Sequence, residues 1–375
     1  MLLVLTAWMA LPAGPAAAFG TIDGGGQHRE HERLTRAALS CAGTARSDQD
    51  CFAARSMDQL AGRGKGFGAV GAPDSDEISD PAAHCDNADF LPGSYPRTRD
   101  QATTQLIACI DHLRMRFRQG VDSAEDLLDD QGRVVADEVI LDRDCRPGND
   151  EDRAKCTVIE GLGRALHGAQ DFYAHSNWAD EADPARPTGP ENPPGLNRPG
   201  PSALFDLRGD AAVSVPEGLA TGCFVLKDES PGVGNCTGRI THAALNKDNG
   251  IIDPASGEVT GPTTARGMVA RNFAKAVAGA IAETRRQWQD FRAALAERYG
   301  PDRAARMICA LTRDDPVRQC NRPTGAAAAG HGAQSRAARL GVLAVAGVAF
   351  ALLAGALTLR TRRRGWGRRH TARRE

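Results

Sequence analysis

Apolar residues recur with helical spacing over several parts of the chain. Four segments show the pattern most clearly: the residues around His31 and the ranges 99–118, 154–174 and 264–298. In the last of these, every fourth residue from Val269 to Ile281 is apolar, which is the spacing of one helix face. Alternating patterns typical of strands are short and few. The sequence therefore predicts a mostly α fold, with one large helical domain and long loops.

The two ends of the chain are apolar in a different way. Residues 1–18 form an uncharged run that ends in small residues, which predicts a secretory signal peptide. Leu340–Leu359 is an uncharged run of 20 residues, long enough to cross the hydrocarbon core as a C-terminal transmembrane helix. We therefore expect a domain over 19–320, an Ala/Gly-rich stalk over 321–339 and a basic tail over 360–375.

The charge is distributed unevenly between the tail and the rest of the chain. The full sequence has 46 Lys/Arg and 47 Asp/Glu, and residues 360–375 contain eight of the arginines and one acid, so 38 basic and 46 acidic residues remain in 1–359. Positive charge beside a span marks the cytoplasmic side. The expected location is the cell membrane, with a single pass and an extracellular N-terminal domain. An acidic domain does not attract nucleic acid by itself.

All ten cysteines lie between Cys41 and Cys320. An even number of cysteines in an exported chain favours disulfides over thiolate metal sites. The spacing suggests five bonds between neighbours in sequence: Cys41/Cys51, Cys85/Cys109, Cys145/Cys156, Cys223/Cys236 and Cys309/Cys320. The loops of the domain are therefore predicted to be stapled locally.

The segment ALHGAQDFYAHSNW carries the strongest chemical signal. His167, Asp171 and His175 are four residues apart, so on a helix their side chains share one face. The two histidines are separated by about 12 Å along the axis, which is too far for one ion. Asp171 lies between them and could serve either histidine or bridge two ions. Taken alone, two histidines and an acid on a helix are equally well explained by chance.

Other histidines stand beside acids elsewhere in the chain. His31 lies at a helix start, Asp74 precedes His84 by a short loop, and His242 is followed by Asn246 and Asp248. Imidazole and carboxylate together form a ligand set suited to zinc. No serine nucleophile elbow or phosphate-binding glycine loop is evident. Metal-activated water is thus the better candidate for chemistry.

Four phrases of the chain resemble a known superfamily: FGTIDGGGQHREHERLTRAAL, VGAPDSDEISDPAAHCDNADF, LGRALHGAQDFYAHSNW and THAALNKDNG. They are similar to the zinc-dependent phospholipase C and P1 nuclease superfamily, in particular its HET-C-like branch and the CinY-type proteins. For the CinY-type group the resemblance covers most of residues 19–320, and for the characterised enzymes it covers the order of the ligands. It implies a helical domain with a cluster of two or three zinc ions at the bottom of a cleft.

The resemblance also implies a role for each candidate ligand. The family's mature N-terminal residue binds zinc through its amine and carbonyl, and Phe19 would take that place. The other implied metal ligands are His31, Asp74, His84, His167, Asp171, His175 and His242, with Asp171 bridging two ions and Asp74 also acting in catalysis. The family has an acid where this chain has Asn246. Asp248 would then complete the third site.

These features lead to one expected function and two alternatives. The expectation is a membrane-anchored, zinc-dependent phosphodiester hydrolase of the phospholipase C type, acting on phospholipid. The first alternative is a P1-type nuclease or nucleotidase. The second is a non-catalytic, metal-stabilised module for interactions at the cell surface, which the amide at Asn246 favours.

Overall fold

The computed structural model describes residues 19–42, 51–149, 152–224 and 236–321. These described residues form one compact unit. The predicted signal peptide, the Leu340–Leu359 span, the basic tail and nearly all of the stalk lie outside the described residues. Within the described ranges, no helix is both long and apolar enough to span a membrane.

Helices dominate the described chain, as the sequence predicts. The α-helices are α1 (Glu30–Leu39), α2 (Ala54–Ala61), α3 (Gly68–Gly71), α4 (Pro73–Asp76), α5 (Arg99–Ser123), α6 (Ala136–Val139), α7 (Ala154–His175), α8 (His242–Leu245), α9 (Ala265–Met268), α10 (Asn272–Tyr299), α11 (Pro301–Thr312) and α12 (Pro316–Cys320). Short 3₁₀ helices cover Ala124–Leu127 and Val269–Arg271. Two antiparallel ribbons complete the fold, β1 (Asp23–Gly24) with β2 (Gln27–His28) and β3 (Ile251–Ile252) with β4 (Val259–Thr260).

Helix α7 forms the centre of the domain. Almost all of its side chains are buried, and these include the polar side chains of His167, Asp171 and His175. It packs against α5, α10 and α3. A Cβ atom on Gly161 would lie 2.4 Å from the backbone nitrogen of Gly120 in α5, so glycine at this position lets the two backbones approach closely. The predicted motif therefore lies on a helix that is enclosed by the rest of the described domain.

The helix predicted over 264–298 is interrupted in the structure. Ala270 and Arg271 have positive φ angles of 44° and 62°, and α10 begins only at Asn272. The Asn272 side chain donates to the carbonyl oxygens of Glu181 and Arg266 and accepts the N–H of Glu181. Because this buried amide bonds to backbone groups outside the helix, it favours a break where apolar spacing alone predicts continuity.

All five predicted disulfides are confirmed. Cys41–Cys51, Cys85–Cys109, Cys145–Cys156, Cys223–Cys236 and Cys309–Cys320 are within bonding distance, and each bond closes a loop of 10 to 24 residues. Cys145 and Cys156 also lie near Asp152 in an arrangement that could in principle hold an ion. Their disulfide removes the thiolates that a metal ion would need.

Candidate metal centre

Two groups of buried histidines and carboxylates meet along α7. We call the set His31, Asp74, His84, His167 and Asp171 the first donor cluster, and the set Asp86, His175, His242 and Asp248 the second donor cluster. Three triads within them, of which the first two share His167, have ligand atoms within 4.8 Å of one another and could hold a metal ion: His31/Asp74/His167, His84/His167/Asp171 and Asp86/His175/His242. His167 and His175 thus belong to different groups, in keeping with their separation along the helix.

Asp171 is shared between the parts of the first donor cluster. Its Oδ1 atom lies 3.0 Å from Nε2 of His31, and its Oδ2 atom lies 3.0 Å from both Nδ1 of His84 and Nε2 of His167. Asp171 is fully buried. The carboxylate therefore presents each oxygen to a different set of histidines, which is the arrangement of a bridging ligand.

Each histidine of the first donor cluster has one ring nitrogen bound to an oxygen outside the set of donors. Nδ1 of His31 lies 2.7 Å from Oε1 of Gln170, Nδ1 of His167 lies 2.8 Å from the carbonyl of Val70, and Nε2 of His84 lies 3.3 Å from the carbonyl of Glu77. Because a carbonyl can only accept, the outer nitrogens carry the protons. Contacts of this kind fix the tautomer of metal-binding histidines in proteins.

This tautomer assignment leaves two lone pairs facing each other. Nε2 of His167 is 3.0 Å from Nδ1 of His84, and both nitrogens face Oδ2 of Asp171. A proton or a metal ion between them is needed to make the contact favourable. Nε2 of His31 and Oδ1 of Asp171 are both buried and, among the described residues, have no hydrogen bond of acceptable geometry despite their closeness. The donor set therefore fits a metal ion better than it fits internal hydrogen bonding.

The remaining first-cluster residue is Asp74 on α4. Its Oδ1 atom is 3.7 Å from Nε2 of His167 and 3.9 Å from Nδ1 of His84, and its Oδ2 atom accepts a hydrogen bond from the Thr21 hydroxyl. The Asp74 side chain is 13% exposed, whereas the other side chains of the cluster are at most 5% exposed. Asp74 is therefore the carboxylate at the solvent edge.

In the second donor cluster, two carboxylates approach opposite edges of one imidazole. Nε2 of His175 bonds to Oδ1 of Asp248 at 2.9 Å, and Nδ1 of His175 is 3.4 Å from Oδ1 of Asp86. The ring of His242 lies 3.9 Å from that of His175, centroid to centroid. Within the described chain, Nδ1 of both histidines and Oδ1 of Asp86 are buried without a hydrogen-bond partner. These three atoms provide a second set of donors.

The structure brings together the sequence-predicted histidines and aspartates in the two donor clusters. Phe19 is buried with its ring centroid 5.9 Å from that of His31, and the metal role of its amine stays a prediction. Asp86, which is not among the ligands predicted from the sequence, lies against His175. Asn246 accepts the N–H of Asp248 through Oδ1 at 2.9 Å, so its amide supports the loop that carries Asp248.

The local charges shift the pKa values of the histidines in the metal-free protein. Burial lowers the pKa of His84, but the Asp171 carboxylate outweighs it and raises the pKa to about 9. Burial also lowers the pKa of His175, but the Asp248 and Asp86 carboxylates outweigh it. The pKa of His175 is therefore well above its usual range. Burial and the neighbouring His175 lower the pKa of His242 to about 4. Without metal, protons therefore hold each cluster together.

This proton dependence predicts how pH changes the stability of the chelator-treated protein. The pKa of His84 is higher in the folded state than its ordinary value of 6.5. The contribution of its proton to the free energy of unfolding is therefore complete below pH 6.5 and is lost as pH rises to about 9. Each pKa unit corresponds to about 1.4 kcal/mol, which gives a loss of roughly 3 kcal/mol over this range. Urea unfolding of the chelator-treated protein at pH 6.5 and at pH 9 measures this loss in the free energy of unfolding.

The matched comparison is His84→Gln, because other groups titrate in the same range. Burial lowers the pKa of Lys155 to about 7, and this buried lysine makes the folded state more stable as pH rises. We expect the free energy of unfolding to fall more steeply with pH in the wild-type protein than in His84→Gln. Equal slopes in the two proteins would contradict the assignment of the proton to His84.

Comparison of the chain with protein-family models, curated proteins and solved structures found no match. The resemblance to the phospholipase C and P1 nuclease superfamily therefore stays a prediction, carried by the four sequence phrases.

Proposed function

We propose that the chain is a zinc-dependent phosphodiester hydrolase. The observation that carries the proposal is the shared carboxylate of Asp171, whose two oxygens face different histidines. A bridging carboxylate holds two ions close together, and paired ions are typical of enzymes that hydrolyse phosphate esters. The fold around α7 provides the rigid support that such a site needs.

The donor chemistry supports zinc among the possible metals. The two clusters combine five imidazoles with four carboxylates, a set that suits zinc better than the hard cations calcium and magnesium. The described cysteines are all in disulfides, so thiolates do not compete. We propose two ions in the first donor cluster and one bound by Asp86, His175 and His242, with Asp248 holding the other edge of the His175 ring.

The residues of the first donor cluster divide into holding and reacting roles. His31, His84, His167 and Asp171 would hold the ions, which supply Lewis acidity for generating a nucleophile from water at neutral pH. Asp74 would bind at the solvent edge and orient the attacking water, because it is the most exposed acceptor in the cluster. The Thr21 hydroxyl donates to its second oxygen and fixes the carboxylate.

Phospholipid head groups are the proposed substrate. The sequence predicts a membrane span at Leu340–Leu359, which would place a lipid surface within reach of the domain. The excess of acidic residues outside the tail is unfavourable for binding nucleic acid. We therefore propose a phospholipase C-like activity at the outer surface of the cell membrane.

One observation favours a second function, a non-catalytic module that metal stabilises. Every donor of both clusters except Asp74 is buried. A closed ligand set is typical of structural zinc sites, whereas catalytic sites keep an open position. On this alternative, bound metal would raise the thermal stability of a surface domain without supporting turnover.

The Asp74→Asn variant separates the two functions. Hydrolysis of phosphatidylcholine vesicles and of single-stranded RNA is measured on zinc-loaded full-length protein, together with metal content. We expect lipid hydrolysis to fall roughly 10²- to 10³-fold in Asp74→Asn with the ions of His84, His167 and Asp171 retained. The matched control is Asp76→Asn on the same helix, since Asp76 instead bonds Arg164.

Each outcome of this experiment identifies one function. Hydrolysis of RNA without hydrolysis of lipid would show that the protein is a nuclease. A zinc-loaded protein that hydrolyses neither substrate but gains thermal stability from zinc would favour the non-catalytic module. A wild-type protein that binds no zinc would overturn the proposal.

A further inference from the structure

A buried lysine lies directly behind the second donor cluster. Lys247 is fully buried, and its ammonium group donates to the carbonyl oxygens of Ser176 at 2.9 Å and Leu245 at 2.7 Å and to Oδ2 of Asp180 at 3.1 Å. Lysine is almost never fully buried without such partners. The three donors of the ammonium group are therefore all used by groups within the domain.

Asp180 does not need Lys247 for its own charge balance. Arg266 donates to both of its oxygens, from Nε at 2.7 Å and from Nη2 at 2.9 Å. This bidentate pair already balances the buried carboxylate. Lys247 thus adds a net positive charge that the pair of Asp180 and Arg266 does not require.

The other contacts of Lys247 surround one ligand of the second donor cluster. Its backbone N–H bonds to the carbonyl of Ala174 at 3.2 Å, and its ammonium group bonds to the carbonyl of Ser176. These two carbonyls flank His175 at the end of α7. The next residue in the chain, Asp248, accepts from Nε2 of His175. Lys247 therefore connects the end of α7 to the loop that carries Asp248.

We propose that Lys247 is a positioning residue for the second donor cluster. By holding the carbonyls on both sides of His175, it keeps Asp248 at Nε2 of that ring, so that Nδ1 stays directed to the ion shared with Asp86 and His242. The inference rests on the proposed metal centre. Loss of contacts that orient a metal-binding histidine lowers metal affinity roughly 10- to 100-fold in other proteins.

The test compares Lys247→Met with Lys155→Met. Methionine matches the length of lysine without its charge, and Arg266 still balances Asp180 in the variant. Lys155 is the matched control, because it is also fully buried and donates to a carbonyl, that of Arg313 at 2.7 Å, and to the Ser56 hydroxyl. It contacts neither donor cluster in the described structure. Zinc per chain and zinc affinity are measured on the full-length protein.

We expect Lys247→Met to lose one of three zinc ions, or to bind it roughly 10- to 100-fold more weakly, while Lys155→Met keeps all three. Lys247→Arg, which retains the charge and the donors, should recover part of that affinity. If circular dichroism shows that Lys247→Met does not fold, Lys247→Gln takes its place, because its amide can still donate to one carbonyl.

The outcomes distinguish this inference from the proposed function. Three ions in the wild-type protein and three ions of unchanged affinity in the folded variant would overturn the role of Lys247 alone. Equal loss of zinc from both clusters, or the same loss in Lys155→Met, would show a general effect on stability and would also overturn it. Absence of zinc from the wild-type protein would overturn the metal centre itself.

Discussion

Replacing Asp171 with asparagine is expected to remove both zinc ions of the first donor cluster and with them all phosphodiester hydrolysis. The change keeps the shape of the side chain but removes the charge and one of the two acceptor oxygens. Because each Asp171 oxygen faces a different set of histidines, neither ion keeps its ligand set. Metal content by mass spectrometry should fall by two ions per chain, and lipid hydrolysis should become undetectable.

The same change also destabilises the metal-free protein. In the wild type, burial lowers the pKa values of His31 and His84, but the Asp171 carboxylate outweighs burial and stabilises the protonated form of both rings. Removing one partner of a buried ion pair typically costs about 3–5 kcal/mol. Urea unfolding of the chelator-treated protein should show a loss of this order, with a larger effect at pH 6.5 than at pH 9, where about half of the His84 side chains have lost the proton.

Glu283→Gln is the matched control for Asp171→Asn. Glu283 is a fully buried carboxylate on α10 that accepts from the hydroxyl of Tyr173, two residues after Asp171, at 3.0 Å. Its amide variant also removes a buried charge beside α7, yet it should keep the full complement of zinc. Retention of two ions in Asp171→Asn, or their loss in Glu283→Gln, would contradict the bridging role.

The sequence identifies the helix at the centre of the site because its signal is local. Four-residue spacing places His167, Asp171 and His175 on one face whatever the rest of the fold does, and the structure places all three in the donor clusters. The histidine contacts from other elements depend on packing. His31 reaches Asp171 from α1 and His84 reaches it from a loop, which the resemblance predicts and local spacing does not.

The role of Asp86 could not be predicted in this way. His84 and Asp86 are two residues apart, but they serve different donor clusters. The residue between them, Cys85, has a φ of 56°, which turns the backbone sharply, and its disulfide to Cys109 fixes the turn to α5. A left-handed cysteine is uncommon, so neither helix nor strand periodicity would indicate that the two side chains diverge.

This divergence predicts that Asp86, and not position 246, provides the carboxylate of the third ion. Asp86→Asn should lower the affinity of the second donor cluster at least about 100-fold, because a carboxamide is a much poorer zinc ligand than a carboxylate. Titration of the zinc-depleted protein, followed by mass spectrometry, should then show two tightly bound ions in place of three. The ions of the first donor cluster should be unaffected.

Asn246→Asp provides the comparison, since it restores an acid where the resemblance expects one. In the structure, Oδ1 of Asn246 accepts the N–H of Asp248, and a carboxylate at this position can keep that bond, whereas Asp86 is the carboxylate that lies against Nδ1 of His175. We therefore expect unchanged zinc content and unchanged turnover. Tighter binding of the third ion in Asn246→Asp, together with normal binding in Asp86→Asn, would place the ligand at 246. In that case, the chain would have lost a carboxylate from its third metal site. The geometry of the second donor cluster indicates instead that the chain supplies this carboxylate from the loop that carries Asp86.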